Sequence, residues 1–336
     1  MFSPAHGGAA DSDALRLGGI DYRLVRKLGV GGMGEVFLAQ RRDANGFARN
    51  VALKFISPGL LANSRAASFC RSFVEEAALT ATLQHPNIGQ IYDLQHHEKL
   101  GPVQVLEYIG GHTLKDLIVA AKGSGRRLST SLVCFIASEL ANALAYAHSA
   151  TSIDGTPLNI VHRDVTPHNI MVSEHGVVKL IDFGIALTSV EDRESTSSHT
   201  AKGKDQYHAP EQLLGGRVDG RADQFALALS LFEGLELERF FKMEPTDTDT
   251  RVHLKIAQLS VNGVLDSMAA STIDESLAAI LSKALSPQAE HRFSNAGEFG
   301  RAVCSYASQQ GWVYSALDAQ REVDQLMARP AICAPI

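Results

Sequence analysis

A glycine-rich segment near the beginning of the chain is the first feature whose residue types suggest chemistry. Gly29, Gly31, Gly32 and Gly34 stand between two strand-like runs and predict a hairpin. Without Cβ atoms, such a backbone can approach a ligand closely enough for its N–H groups to meet phosphate oxygens. A glycine-rich turn is more often only a turn, so this segment alone does not establish a nucleotide site.

A lysine inside an apolar strand strengthens the nucleotide interpretation. Lys54 ends the run Val-Ala-Leu-Lys at residues 51–54, shortly after the glycines. A cation in that setting requires anionic partners, because an unpaired buried charge is costly. The partners that we expect are nucleotide phosphates and a carboxylate on the helix that follows. Glu76 is the better placed carboxylate, and Glu75 is the solvent-facing alternative.

Two later segments complete an ordered series of chemical groups. Asp164 follows His162-Arg163, Asn169 comes five residues after Asp164, and Asp182 opens an Asp-Phe-Gly triplet. With the glycines, Lys54 and an Ala-Pro-Glu triplet at 209–211, this series resembles the bacterial branch of the eukaryotic-like Ser/Thr protein kinase family. The resemblance covers about residues 21–306. It implies an α+β, two-lobed protein kinase fold, with a small β-rich N-lobe (21–109) that has one main helix and a larger, mostly helical C-lobe (110–306).

The resemblance also implies a role for each of these residues. Asp164 is expected to accept or orient the proton of the substrate hydroxyl, and Asn169 and Asp182 to bind Mg²⁺, with Mn²⁺ as an alternative metal. Lys54 and Glu76 are expected to position the phosphates of ATP. Phosphoryl transfer develops charge on oxygen atoms, which suits hard oxygen ligands for a metal and a carboxylate that aligns the attacking oxygen.

Residues 105–109 resemble the segment that links the two lobes. Backbone groups of Glu107 and Ile109 would hydrogen-bond the adenine edge, and Leu106 would close the pocket behind it. The set expected around ATP is Gly29, Val30, Gly31, Gly32, Gly34, Val36, Ala52, Lys54, Leu106, Glu107 and Ile109.

Supporting residues of the family are also present. Glu211 is expected to pair with Arg292, and Asp223 to hold the backbone of the catalytic loop. Arg163 beside Asp164 suggests control by phosphorylation, because an arginine next to the catalytic carboxylate favours an anion. The polar run at 195–200 supplies candidate autophosphorylation sites at Thr196, Ser198 and Thr200, although such a run is usually only a mobile loop.

Two positions depart from the family pattern. Ser/Thr members usually have Lys two residues after the catalytic Asp, where this chain has Thr166, and Thr after the glycine that precedes the Ala-Pro-Glu segment, where it has Lys204. We therefore hypothesise that Lys204 supplies the catalytic positive charge missing at Thr166. The alternative is a solvated loop lysine and a γ-phosphate without that contact.

Hydrophobic periodicity predicts the elements that hold these residues. Residues 1–20 lack it, so we expect a disordered leader. Strands are predicted at 22–28, 35–40, 50–56 and 103–108, a hairpin at 170–181, and helices at 66–83, 131–147, from about 223, and over 275–306. The tail 307–336 contains a predicted helix at 315–328, whose loose apolar side consists of Val313, Leu317, Val323, Leu326 and Met327. We expect this helix to pack on the C-lobe. A docking site for a regulator or a second copy is the alternative.

Bulk composition limits the classes of partner. A net charge of -6 without a local basic patch gives no attraction to nucleic acid or to an anionic membrane surface. The four cysteines lie far apart, without metal-ligand spacing, and no secretion signal or membrane segment is recognisable. We therefore expect a cytoplasmic protein that binds neither nucleic acid nor membrane.

Three classes of function fit this sequence. They are an active Ser/Thr kinase with protein substrates, a pseudokinase that serves as a nucleotide-binding scaffold, and a kinase-fold phosphotransferase acting on a small molecule. Lys54, Asp164, Asn169 and Asp182 argue against the scaffold, and the Ala-Pro-Glu segment favours a protein substrate. Thr166 leaves dual specificity open.

Overall fold

The computed structural model describes residues 14–31, 34–42, 46–183, 205–242 and 249–328. These residues divide into two compact units, and each is described by itself. We call residues 14–81 and 90–108 the N-lobe and residues 82–89, 109–183 and 205–328 the C-lobe. The sheet lobe and the helical lobe of a protein kinase fold, predicted from the sequence, are confirmed.

The N-lobe is a six-stranded antiparallel sheet with the strand order β1-β2-β3-β4-β6-β5. Only β1 alternates strictly between exposed and buried residues, whereas β4 is buried without interruption from Val51 to Ile56. Tyr22, Leu53 and Val105 are fully buried. Two helices follow β4, and the longer one packs on the sheet. The bounds are β1 Ala14–Leu17, β2 Ile20–Val30, β3 Gly34–Arg42, β4 Ala48–Ile56, α1 Pro58–Leu61, α2 Ala66–Thr80, β5 Ile91–His97 and β6 Gly101–Glu107.

Two N-lobe predictions need correction, and one strand was missed. Residues 14–17 form β1, paired with β2, so the leader predicted at 1–20 is wrong for its last part, while residues 1–13 lie outside the described residues. The strand β5 was not predicted at all. Helix α2 ends at Thr80 rather than at residue 83, because residues 82–89 leave the helix and belong to the C-lobe.

The C-lobe is built around one helix that is buried along nearly its whole length. This helix is α6, Gly220–Glu236. Every residue from Ala222 to Leu235 is buried, so the remaining elements pack around it. A small three-stranded sheet, β7-β8-β9, precedes it in the chain. The bounds are β7 Gly111–Thr113, α3 Leu114–Ser124, α4 Thr130–His148, β8 Ile170–Ser173, β9 Val178–Leu180, α5 Pro210–Leu213, α6 Gly220–Glu236, α7 Asp249–Ala257, α8 Val261–Ala269, α9 Glu275–Ala284, α10 Ala296–Gln309 and α11 Ala316–Met327.

Helix α4 is the only element in the described ranges that is long and apolar enough to cross a membrane by length and composition. It is nevertheless a core helix, with ten of its residues buried in the C-lobe. Helix α10 packs closely against it at Gly300, where an added Cβ would lie 2.8 Å from the Cβ of Ala141. Burial between helices therefore accounts for its apolar composition.

The end of the chain differs in two details from the prediction. The helix predicted over 275–306 is interrupted, because α9 ends at Ala284 and α10 begins at Ala296. The predicted tail helix is present as α11 and packs on the C-lobe. Its buried residues are Ala319, Val323 and Leu326, whereas Val313 and Leu317 are exposed.

An ion pair joins the beginning of α5 to the connection between α9 and α10. The guanidinium of Arg292 is fully buried and binds both carboxylate oxygens of Glu211, at 2.7 and 2.9 Å. It also donates to the carbonyl oxygens of Ser286, Arg221 and Pro287. The predicted pairing of Glu211 with Arg292 is present, and it fixes the segment at 209–211 to the body of the C-lobe.

Replacement of Glu211 by Gln should lower the free energy of unfolding by about 3 kcal/mol, because the buried guanidinium of Arg292 loses its counter-charge. Urea denaturation measures this loss. The control is Glu238→Gln, which breaks the exposed ion pair with Lys242 and should leave stability unchanged. Equal effects of the two changes would contradict a structural role for the Glu211–Arg292 pair.

Candidate active site

In the N-lobe, Lys54 lies near the end of β4, opposite Val36 on β3 and Gln104 on β6. Its Nζ atom is 3.1 Å from Oε1 of Glu76 on α2, and both side chains are less than a tenth exposed. Glu75, the alternative partner, is exposed. The Lys54–Glu76 pair therefore holds the ammonium group at a fixed point of the sheet.

The glycines at the end of β2 and the beginning of β3 are under two different packing constraints. The N–H of Gly31 donates to the carbonyl oxygen of Gly34 at 2.8 Å, which closes the turn. A Cβ on Gly34 would lie 1.9 Å from the carbonyl oxygen of Phe55, so the sheet itself requires glycine there. Around Gly29, no atom of the described residues lies within 4 Å of such a Cβ. Gly32 lies outside the described residues.

The predicted adenine-binding residues of the N-lobe lie on neighbouring strands. Ala52 on β4 is buried and stands opposite Leu106 on β6. At the end of β6, the backbone N–H of Glu107 donates to the carbonyl oxygen of Gln90 at 2.8 Å. Val30 is exposed. Ile109 belongs to the C-lobe.

In the C-lobe, one buried carboxylate organises the loop at 162–169, which we call the catalytic loop after the resemblance found in the sequence. Asp223, on α6, accepts the backbone N–H of His162 at 2.8 Å and that of Arg163 at 2.7 Å, as predicted. His148, at the end of α4, is 2.7 Å from the same carboxylate. Burial alone raises the pKa of Asp223, but the hydrogen bond and charge of His148 and the N–H of His162 outweigh it and lower this pKa. Arg163 has φ +68°, a left-handed conformation that these bonds maintain.

The hairpin of β8 and β9 brings three predicted site residues together. The side-chain amide of Asn169, just before β8, donates to Oδ2 and to the carbonyl oxygen of Asp164, both at 2.8 Å. The N–H of Ile181, just after β9, donates to the carbonyl oxygen of Asn169 at 2.9 Å. Asp182 follows with φ +56°. The side-chain carbonyl oxygen of Asn169 and the carboxylate of Asp182 are hard donors of the kind that Mg²⁺ prefers.

The side chain of His162 is buried and contacts both the catalytic loop and the segment after β9. Its Nδ1 accepts the N–H of Asp164 at 3.2 Å, and its Nε2 lies 3.1 Å from the carbonyl oxygen of Ile181. The ring centroid is 4.5 Å from that of Phe183. Burial lowers the pKa of His162, although Asp223 and Asp164 act in the opposite direction. The ring is therefore neutral near pH 7.

A second buried acid, which the sequence analysis missed, anchors the segment before Ala209. Glu233 on α6 accepts a hydrogen bond from the hydroxyl of Tyr207 and lies 2.8 Å from Nζ of Lys115. Burial, followed by the charge of Glu233, raises the pKa of Tyr207, which therefore remains a donor. The N–H of Lys115 also donates to the carbonyl oxygen of Pro167. A glutamate within the apolar sequence of α6 was a signal for such an anchor.

Thr166 is buried, and within the described part of the chain its hydroxyl has no hydrogen-bond partner. The remaining predicted site residues, Lys204, Thr196, Ser198 and Thr200, lie outside the described residues.

Lowering the pH from about 7.5 to 5.5 should destabilise the protein. The pKa of His162 is lowered on folding, so the unfolded chain binds the proton more readily. The resulting stability is present above the unfolded pKa of about 6.5 and is lost as the pH falls below it. Thermal unfolding across this range should depend less on pH in His162→Gln than in the wild type, and the exposed control His96→Gln should keep the wild-type dependence. An unchanged pH dependence in His162→Gln would exclude this explanation.

The protein kinase domain family matches residues 22–310 of the chain. Among curated relatives, MasK of Myxococcus xanthus, named a tyrosine-protein kinase, is 38% identical and covers 86% of this chain and 43% of its own. The serine/threonine-protein kinase PrkC of Bacillus subtilis is 31% identical, and the match covers 82% of this chain and 39% of PrkC. The serine/threonine-protein kinase PknB of Mycobacterium tuberculosis is 34% identical, and the match covers 82% of this chain and 41% of PknB. The chain thus spans about two fifths of the length of these relatives.

The solved kinase domain of PknI from Mycobacterium tuberculosis has a TM-score of 0.60 and 27% identity, with 88% of this chain and 99% of that chain covered. Fold, family match and relatives agree with the resemblance found in the sequence. The chain belongs to the protein kinase family, in the bacterial branch of the eukaryotic-like Ser/Thr kinases.

Proposed function

We propose that this chain is an ATP- and Mg²⁺-dependent protein kinase that phosphorylates Ser and Thr hydroxyls of other proteins. The observation that carries the proposal is the buried Lys54–Glu76 ion pair, with a distance of 3.1 Å. A nucleotide-binding scaffold needs no such fixed ammonium group, whereas a phosphotransferase does, because catalysis here depends on positioning phosphates.

Each residue has a defined task in this proposal. Lys54 binds the α- and β-phosphates of ATP, and Asn169 and Asp182 would hold Mg²⁺, which neutralises charge on the phosphate oxygens. Asp164 accepts or orients the proton of the substrate hydroxyl, and the amide of Asn169, at 2.8 Å from Oδ2, holds that carboxylate in place. The backbone bonds from Asp223 fix the loop that carries Asp164.

The hydroxyl type rests on the relatives. PrkC and PknB are named serine/threonine kinases, whereas MasK is named a tyrosine kinase. We propose Ser/Thr selectivity, with dual specificity as the second candidate because of MasK. The anchored segment from Asp205 to Tyr207 supports a protein as substrate rather than a small molecule.

We further propose that Lys204 supplies the charge that Lys provides two residues after the catalytic Asp in related kinases. What supports this is Thr166 at that position, with a small, buried side chain that offers no charge. The proposal also includes autophosphorylation at Thr196, Ser198 or Thr200, which would give Arg163 an anionic partner. It further includes Mg²⁺ rather than Mn²⁺ as the metal and a cytoplasmic location.

Incubation with Mg²⁺ and ATP should add phosphate to the wild-type protein between residues 195 and 200, and Asp164→Ala should abolish it. Mass spectrometry locates the phosphate and shows whether Ser, Thr or Tyr carries it. Phosphotyrosine beside phosphothreonine would establish dual specificity. Nucleotide binding without phosphate transfer in the wild type would favour the scaffold.

Lys204→Thr should reduce kcat about a hundredfold, which is the usual effect of removing one charge-stabilising group. The double variant Thr166→Lys with Lys204→Thr should recover much of that loss, because it restores the usual arrangement of the family. Lys99→Thr, an exposed lysine in the turn after β5, is the matched control. Full turnover in Lys204→Thr would exclude the exchange.

A further inference from the structure

The C-terminal helix α11, Ala316–Met327, lies outside the part of the chain that matches the kinase family, residues 22–310. It packs against α3 and β8 of the C-lobe. Ser315 caps its first turn, and Ala319, Val323 and Leu326 form its buried face. The family match therefore leaves open what this ordered, well-packed helix contributes.

One half-buried hydrogen-bond cluster fixes α11 to the beginning of α4. The carboxylate of Glu322 accepts the backbone N–H of Ser129 at 2.8 Å, its hydroxyl at 2.6 Å and the hydroxyl of Tyr314 at 2.7 Å. Nη1 of Arg126 donates to the carbonyl oxygen of Gln325 at 2.7 Å, near the end of the helix. These bonds fix both the position of α11 and its rotation about its own axis.

The first turn of α11 lies directly on the turn between β8 and β9. Gly176 in that turn has φ +74°, and a Cβ there would lie 1.7 Å from the carbonyl oxygen of Ala316 and 2.9 Å from the backbone N of Gln320. Backbone atoms, unlike the ends of flexible side chains, cannot move aside cheaply. Any residue larger than glycine at 176 must therefore displace α11 or the hairpin.

An unbroken hydrogen-bond ladder runs from this turn to the proposed metal ligands. The N–H of Gly176 donates to the carbonyl oxygen of Ser173, and the strands pair in register from Val172↔Val178 to Ile170↔Leu180. The bond from Ile181 to Asn169 continues the ladder at its far end. Asn169 and Asp182 thus stand at the open end of a hairpin whose closed end is in contact with α11.

We propose that α11 is a positioning element for the metal ligands. By holding the turn at Gly176, it fixes the hairpin and thereby the separation of Asn169 and Asp182. This inference rests on the proposed function, in which these two residues bind Mg²⁺. A helix that adds only general stability would not change the Mg²⁺ dependence of nucleotide binding, so that dependence distinguishes the two roles.

The test compares Gly176→Ala with Gly155→Ala. Gly155 has φ +83°, a comparable backbone strain, but no atom of the described residues lies within 4 Å of a Cβ there. Isothermal titration with a non-hydrolysable ATP analogue, at several Mg²⁺ concentrations, gives the Mg²⁺ concentration for half-maximal binding. We expect it to rise at least about threefold in Gly176→Ala, less than the roughly 10–100-fold loss caused by removing a direct support of a metal ligand. Gly155→Ala should match the wild type.

A second pair of variants avoids backbone strain. Glu322→Gln disrupts the hydrogen-bond cluster of α11, and Glu98→Gln changes an exposed glutamate in the turn after β5. Only Glu322→Gln should raise the Mg²⁺ requirement. Wild-type Mg²⁺ dependence in both Gly176→Ala and Glu322→Gln would overturn the positioning role alone. Nucleotide binding that ignores Mg²⁺ in the wild type would overturn the proposed function and the role of α11 with it.

Discussion

The structure of the C-lobe site depends on a carboxylate that has no contact with solvent. Asp223 lies on the buried helix α6 and holds two consecutive backbone N–H groups of the catalytic loop. Those bonds maintain the left-handed backbone of Arg163, which in turn sets the direction of Asp164. A buried charge of this kind is tolerated only because donors surround it, and His148 supplies a third one beside the two N–H groups.

The same principle recurs in a second acid of α6. Glu233 joins Tyr207 of the segment before Ala209 to Lys115 at the beginning of α3, and Lys115 in turn contacts the catalytic loop through its backbone. The central helix thus carries two carboxylates, each of which holds a segment to which the proposed function assigns a role. Its apolar residues form the core of the C-lobe, and its two acids hold specific backbone and side-chain donors of neighbouring segments.

Residue type and spacing predicted one pair of the site, whereas the roles proposed for Asp164, Asn169 and Asp182 came from the resemblance to the kinase family. Lys54 within an apolar strand requires an acid, and Glu76 lies on the buried stripe of α2, so residue type and spacing alone were enough to infer this pair. The strand β1 could not be inferred, since four residues give too short an alternation. The contact between Gly176 and α11 joins segments that are distant in the chain. No residue type in either segment indicates which other segment it packs against. Lys115 and Glu233 were missed although Glu233, an acid within an otherwise apolar stretch of helix, was itself a signal.

Gly29 near the end of β2 and Gly34 at the beginning of β3 differ in a way that matters for recognising inactive relatives. Gly34 is demanded by the neighbouring strand, where a Cβ would collide with the backbone of Phe55, so a descendant that had lost all use for nucleotide would still retain it. Gly29 has open space around it among the described residues and is under no such packing constraint. Gly29 belongs to the set expected around ATP, so drift at position 29 is expected to follow the loss of nucleotide binding, whereas retention of glycine at position 34 shows only that the sheet still folds.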